Sequence, residues 1–145
     1  MSEPAPLVIS VEDNPADVRL IREGVAAVDR NIDFKVFNNG QDAVEQLTGD
    51  DGVQAVSVVL ILLDLNVPGK SGLEILRCLH KEPQFDAVPI LTVSSSENPD
   101  DIRRAYESSA NAYLTKPTDP DEFIQMITAA VQFWTPPTSS STTND

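Results

Sequence analysis

The sequence predicts an α/β fold, in which a doubly wound, five-stranded parallel sheet carries helices on both faces. Five short apolar segments alternate along the chain with five segments of helical character, which is the order that a parallel sheet requires. The third apolar segment, Val58 to Leu65, is apolar at almost every position, as a strand is when both faces of its sheet are covered. A chain of 145 residues is long enough for one core. We therefore predict one domain at 6–134, between flexible tails at 1–5 and 135–145.

Local signals indicate where the helices begin and end. Asn14 followed by Pro15 is typical of a helix N-cap with proline at the first helical position. The last helix is predicted from Asp119 to about Phe133, because a double proline and a Ser/Thr-rich tail follow it. The loop from Thr48 to Ala55 looks long and has no predicted role. The other four strands are predicted at Leu7–Val11, Asp33–Phe37, Val88–Val93 and Ala112–Thr115.

Composition excludes several classes of function. The net charge of -13, with no basic stretch, argues against binding DNA or RNA. One cysteine, Cys78, and one histidine, His80, exclude an intrachain disulfide, a cysteine-based zinc cluster and a histidine-rich metal site. No apolar stretch approaches the roughly 18 residues needed to cross a membrane, and the N-terminus does not resemble a secretory signal. These features predict a cytoplasmic protein, and the acidic excess favours a halophilic host.

Polar side chains follow the strands at the edge where parallel strands end. Glu12 and Asp13 follow the first strand, Asp64 closes the apolar run of the third, Ser94 follows the fourth, and Lys116 follows the fifth. Ligands of open α/β sheets bind outside this edge, so we expect the five side chains to converge there. Crowded carboxylates repel one another unless a cation compensates, and Mg²⁺ with its preference for oxygen ligands is the natural candidate.

The motifs VED, LLDLNVPGKSG, TVSSS and YLTKP, in this order and at these spacings, resemble the receiver domain of two-component response regulators. The resemblance covers roughly Pro6 to Trp134. It implies a flavodoxin-like sheet with strand order 2-1-3-4-5. It also implies a signalling domain rather than an enzyme, with catalysis limited to its own phosphorylation and dephosphorylation.

The resemblance implies a role for each residue at the reacting centre. Asp64 matches the phosphoacceptor, which takes its phosphoryl group from a phosphohistidine of a sensor histidine kinase. Ser94 matches the hydroxyl that binds the phosphoryl group, and Lys116 matches the lysine that pairs with it. The bond between Lys116 and Pro117 is implied to be cis, which would aim the lysine side chain inward. Phosphoryl transfer requires mainly positioning and charge neutralisation, and these residue types supply both.

The resemblance also implies a metal site and a switch. Glu12 and Asp13 match the acidic pair that holds Mg²⁺, Asp13 directly and Glu12 through water, with Asp64 and the backbone carbonyl of Asn66 as further ligands. Tyr113 matches the aromatic residue that rotates into space vacated by Ser94 after phosphorylation. This rotation would change the surface formed by the fourth helix, the fifth strand and the fifth helix.

The implied partners are proteins. The sequence resembles single-domain regulators of phytochrome-type or related sensor kinases, which act on an unknown downstream protein by docking. A homodimer through the fourth helix, fifth strand and fifth helix, around Arg103, Arg104 and Tyr113, is a further prediction. Phe133 and Trp134 either cap the core at the end of the last helix or form a docking contact.

Two other classes of function remain open from the sequence. One is an interaction module that keeps the fold without the chemistry, although the intact set of site residues argues against it. The other is an aspartate-nucleophile phosphatase or a flavin electron carrier on a similar sheet. Asn66 disfavours the phosphatase, which needs a second acid at that position, and EDNPAD after the first strand is unlike the phosphate loop of a flavin carrier.

Overall fold

The computed structural model describes residues 5–48, 57–69 and 71–136. Within these residues five parallel strands form one sheet in the order β2-β1-β3-β4-β5, so the predicted fold class and strand order are confirmed. The strands are β1 (Leu7–Val11), β2 (Asp33–Phe37), β3 (Val58–Leu63), β4 (Ile90–Ser94) and β5 (Ala112–Thr115).

Five helices connect or follow the strands in the described residues, and a short 3-10 helix at Pro83–Phe85 precedes β4. None of these helices is long and apolar enough to span a bilayer. The five α-helices are α1 (Pro15–Ala26), α2 (Gly40–Thr48), α3 (Gly72–His80), α4 (Pro99–Glu107) and α5 (Pro120–Trp134).

The helix starts follow the capping signals of the sequence. The side chain of Asn14 accepts hydrogen bonds from the backbone N–H groups of Ala16 and Asp17, at 2.9 and 3.1 Å, and Pro15 occupies the first helical position, as predicted. The helix α3 begins with a capping box between Ser71 and Glu74. These caps satisfy amide groups that have no partner within their own helix.

Three strand boundaries differ from the prediction, and one of them is the end of β4, which lies at Ser94 rather than Val93. The strand β4 begins at Ile90 rather than Val88, because the Val88 N–H donates to Phe85 in the preceding turn and Pro89 has no N–H to donate. The strand β3 ends at Leu63 rather than Leu65. There the side chain of Asp64 accepts the Asn66 N–H at 2.9 Å, which bends the chain out of the sheet. The predicted loop at 48–55 lies outside the described residues except for Thr48, which ends α2.

The sheet is covered on both faces, as the apolar character of β3 predicted. The helices α2, α3 and α4 pack on one face, over the inward side chains Ile9, Val11, Ile61 and Leu63. The helices α1 and α5 pack on the other face. There they cover Val8, Leu60, Leu62, Leu91 and Val93. Alternate residues of each central strand therefore enter different cores.

A guanidinium group fixes the end of α5. Arg30 donates from Nη1 to Oγ1 of Thr135 at 2.8 Å and to the carbonyl of Pro136 at 3.2 Å, and from Nη2 to the carbonyl of Gln132 at 3.2 Å. These bonds satisfy carbonyl groups that the end of a helix leaves without partners. Defined contacts therefore extend two residues past Trp134, the predicted boundary of the domain.

The helices α1 and α5 meet closely at Gly24. The Oγ1 of Thr128 donates to the Gly24 carbonyl at 2.8 Å. A Cβ atom added at Gly24 would lie 2.7 Å from two side-chain carbons of the buried Ile127 and 3.0 Å from the carbonyl oxygen of Ile124. The absence of a side chain at this position therefore sets the spacing of the two helices.

We expect Gly24→Ala to lower the free energy of unfolding by about 1–2 kcal/mol, because the clash outweighs the helix propensity that alanine adds. Urea denaturation of both proteins measures the difference. The reverse exchange Ala129→Gly, at an exposed position inside α5, serves as the control for propensity. A Gly24→Ala protein more stable than the parent would show that the helices separate without cost.

Candidate functional site

The ammonium of Lys116 lies against three carboxylates at the carboxyl-terminal edge of the sheet. Its Nζ atom is 2.9 Å from Oε1 of Glu12, 3.0 Å from Oδ2 of Asp64 and 2.8 Å from Oδ2 of Asp17. The side chains of Lys116, Glu12 and Asp64 are 12%, 1% and 8% exposed, so these charges meet largely out of water. The structure thus brings together three residues that the sequence predicted, and adds a fourth, Asp17.

Main-chain hydrogen bonds hold the backbone from which these side chains project. The N–H of Glu12 donates to β2 at 2.9 Å, that of Asp64 donates to β1 at 3.0 Å, and that of Lys116 donates to β4 at 2.8 Å. Each bond continues the pairing one residue past the end of a strand. The three side chains therefore leave a fixed backbone.

The position of Asp17 follows from the packing of α1. Asp17 lies four residues before Ile21, and Ile21 and Val25 are buried against the sheet. Residues four apart share a helix face, so Asp17 continues the buried stripe beyond the edge of the sheet. The sequence analysis missed this residue, although its spacing from Ile21 was the available signal.

The predicted cis bond between Lys116 and Pro117 is wrong, because no peptide bond in the described residues is cis. A trans bond is the ordinary state before proline, favoured by about 0.5–1 kcal/mol. The flexible stem of the lysine spans the remaining distance, since Nζ reaches all three carboxylates from a trans backbone.

The side chains of Glu12, Asp13 and Asp64 form a cluster suited to a divalent cation. One carboxylate oxygen from each lies within 4.8 Å of the others, and Asp13 is the exposed member of the three. The buried Oε1 of Glu12 lies 2.9 Å from Nζ of Lys116 but accepts no hydrogen bond. Its lone pairs are therefore available to a cation. Hard oxygen ligands with unused lone pairs fit Mg²⁺ and similar cations. The contribution of the Asn66 carbonyl stays a prediction.

Electrostatics disfavours the ionised form of Glu12. Burial, and after it the neighbouring Asp64, raise the pKa of Glu12 from 4.5 to about 7, while Lys116 opposes the shift. The pKa of Lys116 is also raised: burial acts to lower it, but the close contacts with the carboxylates of Asp17, Glu12 and Asp64 together outweigh burial. The lysine therefore stays charged, and the carboxylates around it carry the excess of negative charge at this site.

Ser94 and Tyr113 are connected through Ser96. Ser94 is fully buried, and its Oγ accepts the backbone N–H of Ser96 at 3.1 Å. The carbonyl of Ser96 accepts the hydroxyl of Tyr113 at 2.8 Å, and its Oγ donates to Asp101 in the first turn of α4. The predicted switch residues are thus two ends of one hydrogen-bonded chain. Nothing in the run of three serines distinguished Ser96 from its neighbours.

Gly72 positions the main chain next to Asp64. A Cβ atom added at Gly72 would lie 2.8 Å from the Asp64 carbonyl oxygen and 2.5 Å from Cα of Leu65. The Gly72 N–H donates to the carbonyl of Leu65 at 3.1 Å. The start of α3 therefore packs directly on the backbone that carries Asp64.

The chain is similar to proteins of known class over nearly its whole length. The family model described as the response regulator receiver domain matches residues 8–128, which include every site residue from Glu12 to Lys116. The response regulator Rcp1 of Synechocystis sp. is 31% identical over 134 residues, which are 92% of this chain and 91% of that protein.

Two solved structures of receivers have the same fold. The Mn²⁺-bound form of Rcp1 is 28% identical and superposes with a TM-score of 0.81, covering 92% of this chain and 97% of the other. The phosphorylated form of RcpA, a cyanobacterial phytochrome response regulator, is 32% identical with a TM-score of 0.83, covering 90% and 94%. At these identities the similarity extends beyond the fold to the family.

The raised pKa of Glu12 predicts a pH-dependent stability of the metal-free protein. The folded state binds the Glu12 proton more tightly than the unfolded state. The stabilisation of the folded state by this proton is therefore complete below about pH 4.5 and is lost as the pH rises through about 7. We expect Glu12→Gln to match the parent near pH 4 and to be more stable by about 1–3 kcal/mol near pH 8.

Urea denaturation in chelator across this pH range measures the effect, and the exposed Glu97→Gln serves as the matched control. If Glu12→Gln were less stable than the parent near pH 8, the contact with Lys116 would outweigh desolvation, contrary to this expectation.

Proposed function

The chain belongs to the family of response regulator receiver domains, and we propose that Asp64 is the residue on which it accepts a phosphoryl group from a sensor histidine kinase. Domains of this family receive phosphoryl groups from sensor kinases and relay the signal to partners. The observation that supports Asp64 is its position directly after the central strand, where its carboxylate contacts Lys116 and belongs to the acidic cluster. The open cleft at this edge gives a donor access.

The proposed reaction needs little covalent chemistry from the protein. An oxygen of Asp64 forms a bond to phosphorus as the N–P bond of the donor phosphohistidine breaks, and the imidazole nitrogen keeps the electron pair and takes a proton from solvent. A carboxylate attacks without a general base, so charge neutralisation is the main requirement. Lys116 supplies one positive charge beside the attacking oxygen.

Glu12, Asp13, Asp64 and the carbonyl of Asn66 would hold a divalent cation, which when bound would supply the rest of the charge neutralisation. We propose that this cation is Mg²⁺, because Mg²⁺ keeps several bound waters, one of which a phosphoryl oxygen can replace. The Mn²⁺-bound structure of the relative Rcp1 supports a divalent site in general. The protein is a signalling domain rather than a classical enzyme, and its own phosphotransfer and dephosphorylation are the only catalysis that we propose.

We propose that phosphorylation acts through the chain of hydrogen bonds from Ser94 to Tyr113. A phosphoryl group adds roughly -1.5 to -2 units of charge and three acceptor oxygens next to the Ser94 hydroxyl. If that hydroxyl turns to the phosphoryl group, the Ser96 backbone loses its partner, and the contact of Ser96 with Tyr113 changes with it. The surface of α4, β5 and α5 is the proposed output.

The finer partner assignments are also proposals. The name of RcpA supports a phytochrome-type sensor kinase as the donor. The cytoplasm is the proposed location of this reaction. A downstream protein, or a second copy of this chain, would bind the face formed by α4, β5 and α5, where Arg103, Arg104 and the half-exposed Tyr106 lie. Phe133, which is 79% exposed, is available for docking, whereas Trp134 packs partly against the core.

Intact mass measures the proposed phosphorylation directly. After incubation with Mg²⁺ and a small phosphodonor such as acetyl phosphate, we expect the parent to gain one phosphoryl group and Asp64→Asn to gain none. Asp42→Asn, an exposed aspartate in the first turn of α2, is the control for charge. Addition that persists in Asp64→Asn would place the acceptor elsewhere. No addition from small donors or from a phosphorylated kinase would favour the interaction module.

Light scattering tests the proposed homodimer. With Mg²⁺ and beryllofluoride, which imitates a phosphoryl group, we expect the parent to form a dimer and Arg104→Glu to remain a monomer. Arg19→Glu, at an exposed position of α1 outside this face, is the control and should dimerise like the parent. A parent that stays monomeric with and without beryllofluoride would rule out the homodimer.

A further inference from the structure

We propose that Asp17 is a positioning residue that holds the ammonium of Lys116 in the unphosphorylated protein and competes for it with the phosphoryl group. This inference rests on the proposed function of Asp64. Its basis is the contact between Oδ2 of Asp17 and Nζ of Lys116, which at 2.8 Å is the shortest of the three carboxylate contacts of that ammonium.

The ammonium of Lys116 has as many carboxylate neighbours as donors. An ammonium carries three N–H groups and no acceptor. Nζ donates hydrogen bonds to Asp17 and Asp64, and Oε1 of Glu12 lies at 2.9 Å. A phosphoryl oxygen that draws this ammonium toward itself must therefore do so against the attraction of three carboxylates.

Asp17 differs from the other two carboxylates in what else it can bind. Glu12 and Asp64 belong to the cation-binding cluster with Asp13, and Asp17 does not. When a cation and a phosphoryl group are bound, oxygens of Glu12 and Asp64 are engaged by them, which weakens their hold on Lys116. Asp17 is then the carboxylate whose charge remains free to retain the ammonium.

The backbone of α1 prevents Asp17 from following the lysine. The N–H of Asp17 donates to the side chain of Asn14 at 3.1 Å, and Ile21, one turn further, is buried. Lys116 instead has a flexible four-carbon stem. Movement of the ammonium toward the phosphoryl group therefore lengthens its contact with Asp17. The free energy needed to break that contact reduces the net affinity of Lys116 for the phosphoryl group.

Affinity for beryllofluoride in the presence of Mg²⁺ tests the competition, with isothermal titration calorimetry as the readout. We expect Asp17→Asn to bind beryllofluoride about tenfold more tightly than the parent, equivalent to about 1.4 kcal/mol. Asp17→Glu keeps the charge and should bind with nearly the affinity of the parent. A residue with only a structural role would not tighten binding when it is replaced.

Asp42→Asn is the matched control, because Asp42 also follows an asparagine by three residues, and its N–H donates to that asparagine side chain. Its affinity for beryllofluoride should equal that of the parent. An equal gain in Asp42→Asn would contradict the inference by showing a general charge effect. A matching gain in affinity for Mg²⁺ alone would also contradict it, because the effect would not pass through Lys116.

Two further outcomes separate this inference from the proposed function. If the parent binds beryllofluoride but Asp17→Asn binds it equally or more weakly, Asp17 does not compete for Lys116, and the role of Asp64 stands. If the parent itself fails to bind beryllofluoride with Mg²⁺, the proposed function fails, and the inference fails with it.

Discussion

The site depends on the balance between one largely buried ammonium and the carboxylates that surround it. Charges removed from water are costly unless they are paired, and Lys116 has three partners within 3.0 Å. Four carboxylates, those of Glu12, Asp13, Asp17 and Asp64, share this edge of the sheet, so one ammonium cannot neutralise them. Burial is the largest cause of the raised pKa of Glu12, and the neighbouring Asp64 adds to it.

This excess connects stability to function. An apolar sheet covered by helices on both faces holds the strand ends rigidly, so the carboxylates cannot separate to relieve their repulsion. A cation at the cluster or a proton on Glu12 relieves it instead. The site is therefore less stable alone than with its ligands, as is common where binding residues are arranged for function rather than for stability. Asp17 adds to the negative charge and at the same time keeps the lysine in place.

Much of the fold could be predicted from the sequence because local and global signals agree. The alternation of elements predicted the parallel sheet, and convergence of strand ends predicted that Glu12, Asp64 and Lys116 would meet. Asn14 and Pro15 predicted the start of α1. The end of β3 and the start of β4 were predicted less well. There the hydrogen bond accepted by the Asp64 side chain and the missing N–H of Pro89 override the apolar pattern.

Other features of the site depended on tertiary packing. In the sequence, Asp17 is an ordinary acidic residue in the first turn of a helix, where its negative charge interacts favourably with the helix dipole. Only the rotation of α1, set by Ile21 and Val25, brings it to Lys116. The role of Ser96 depends on its backbone, which sequence cannot distinguish among three serines. The resemblance misled in one respect, since the Lys116–Pro117 bond is trans.

The most direct test is a crystal structure of the protein with Mg²⁺ and beryllofluoride. We expect beryllium bonded to a carboxylate oxygen of Asp64, the cation on Glu12 and Asp13, and Nζ of Lys116 at hydrogen-bond distance from fluorine after leaving Asp17. Beryllofluoride bound at another residue, or at Asp64 with Lys116 still held by its carboxylates and no contact to fluorine, would contradict the central role of this ammonium.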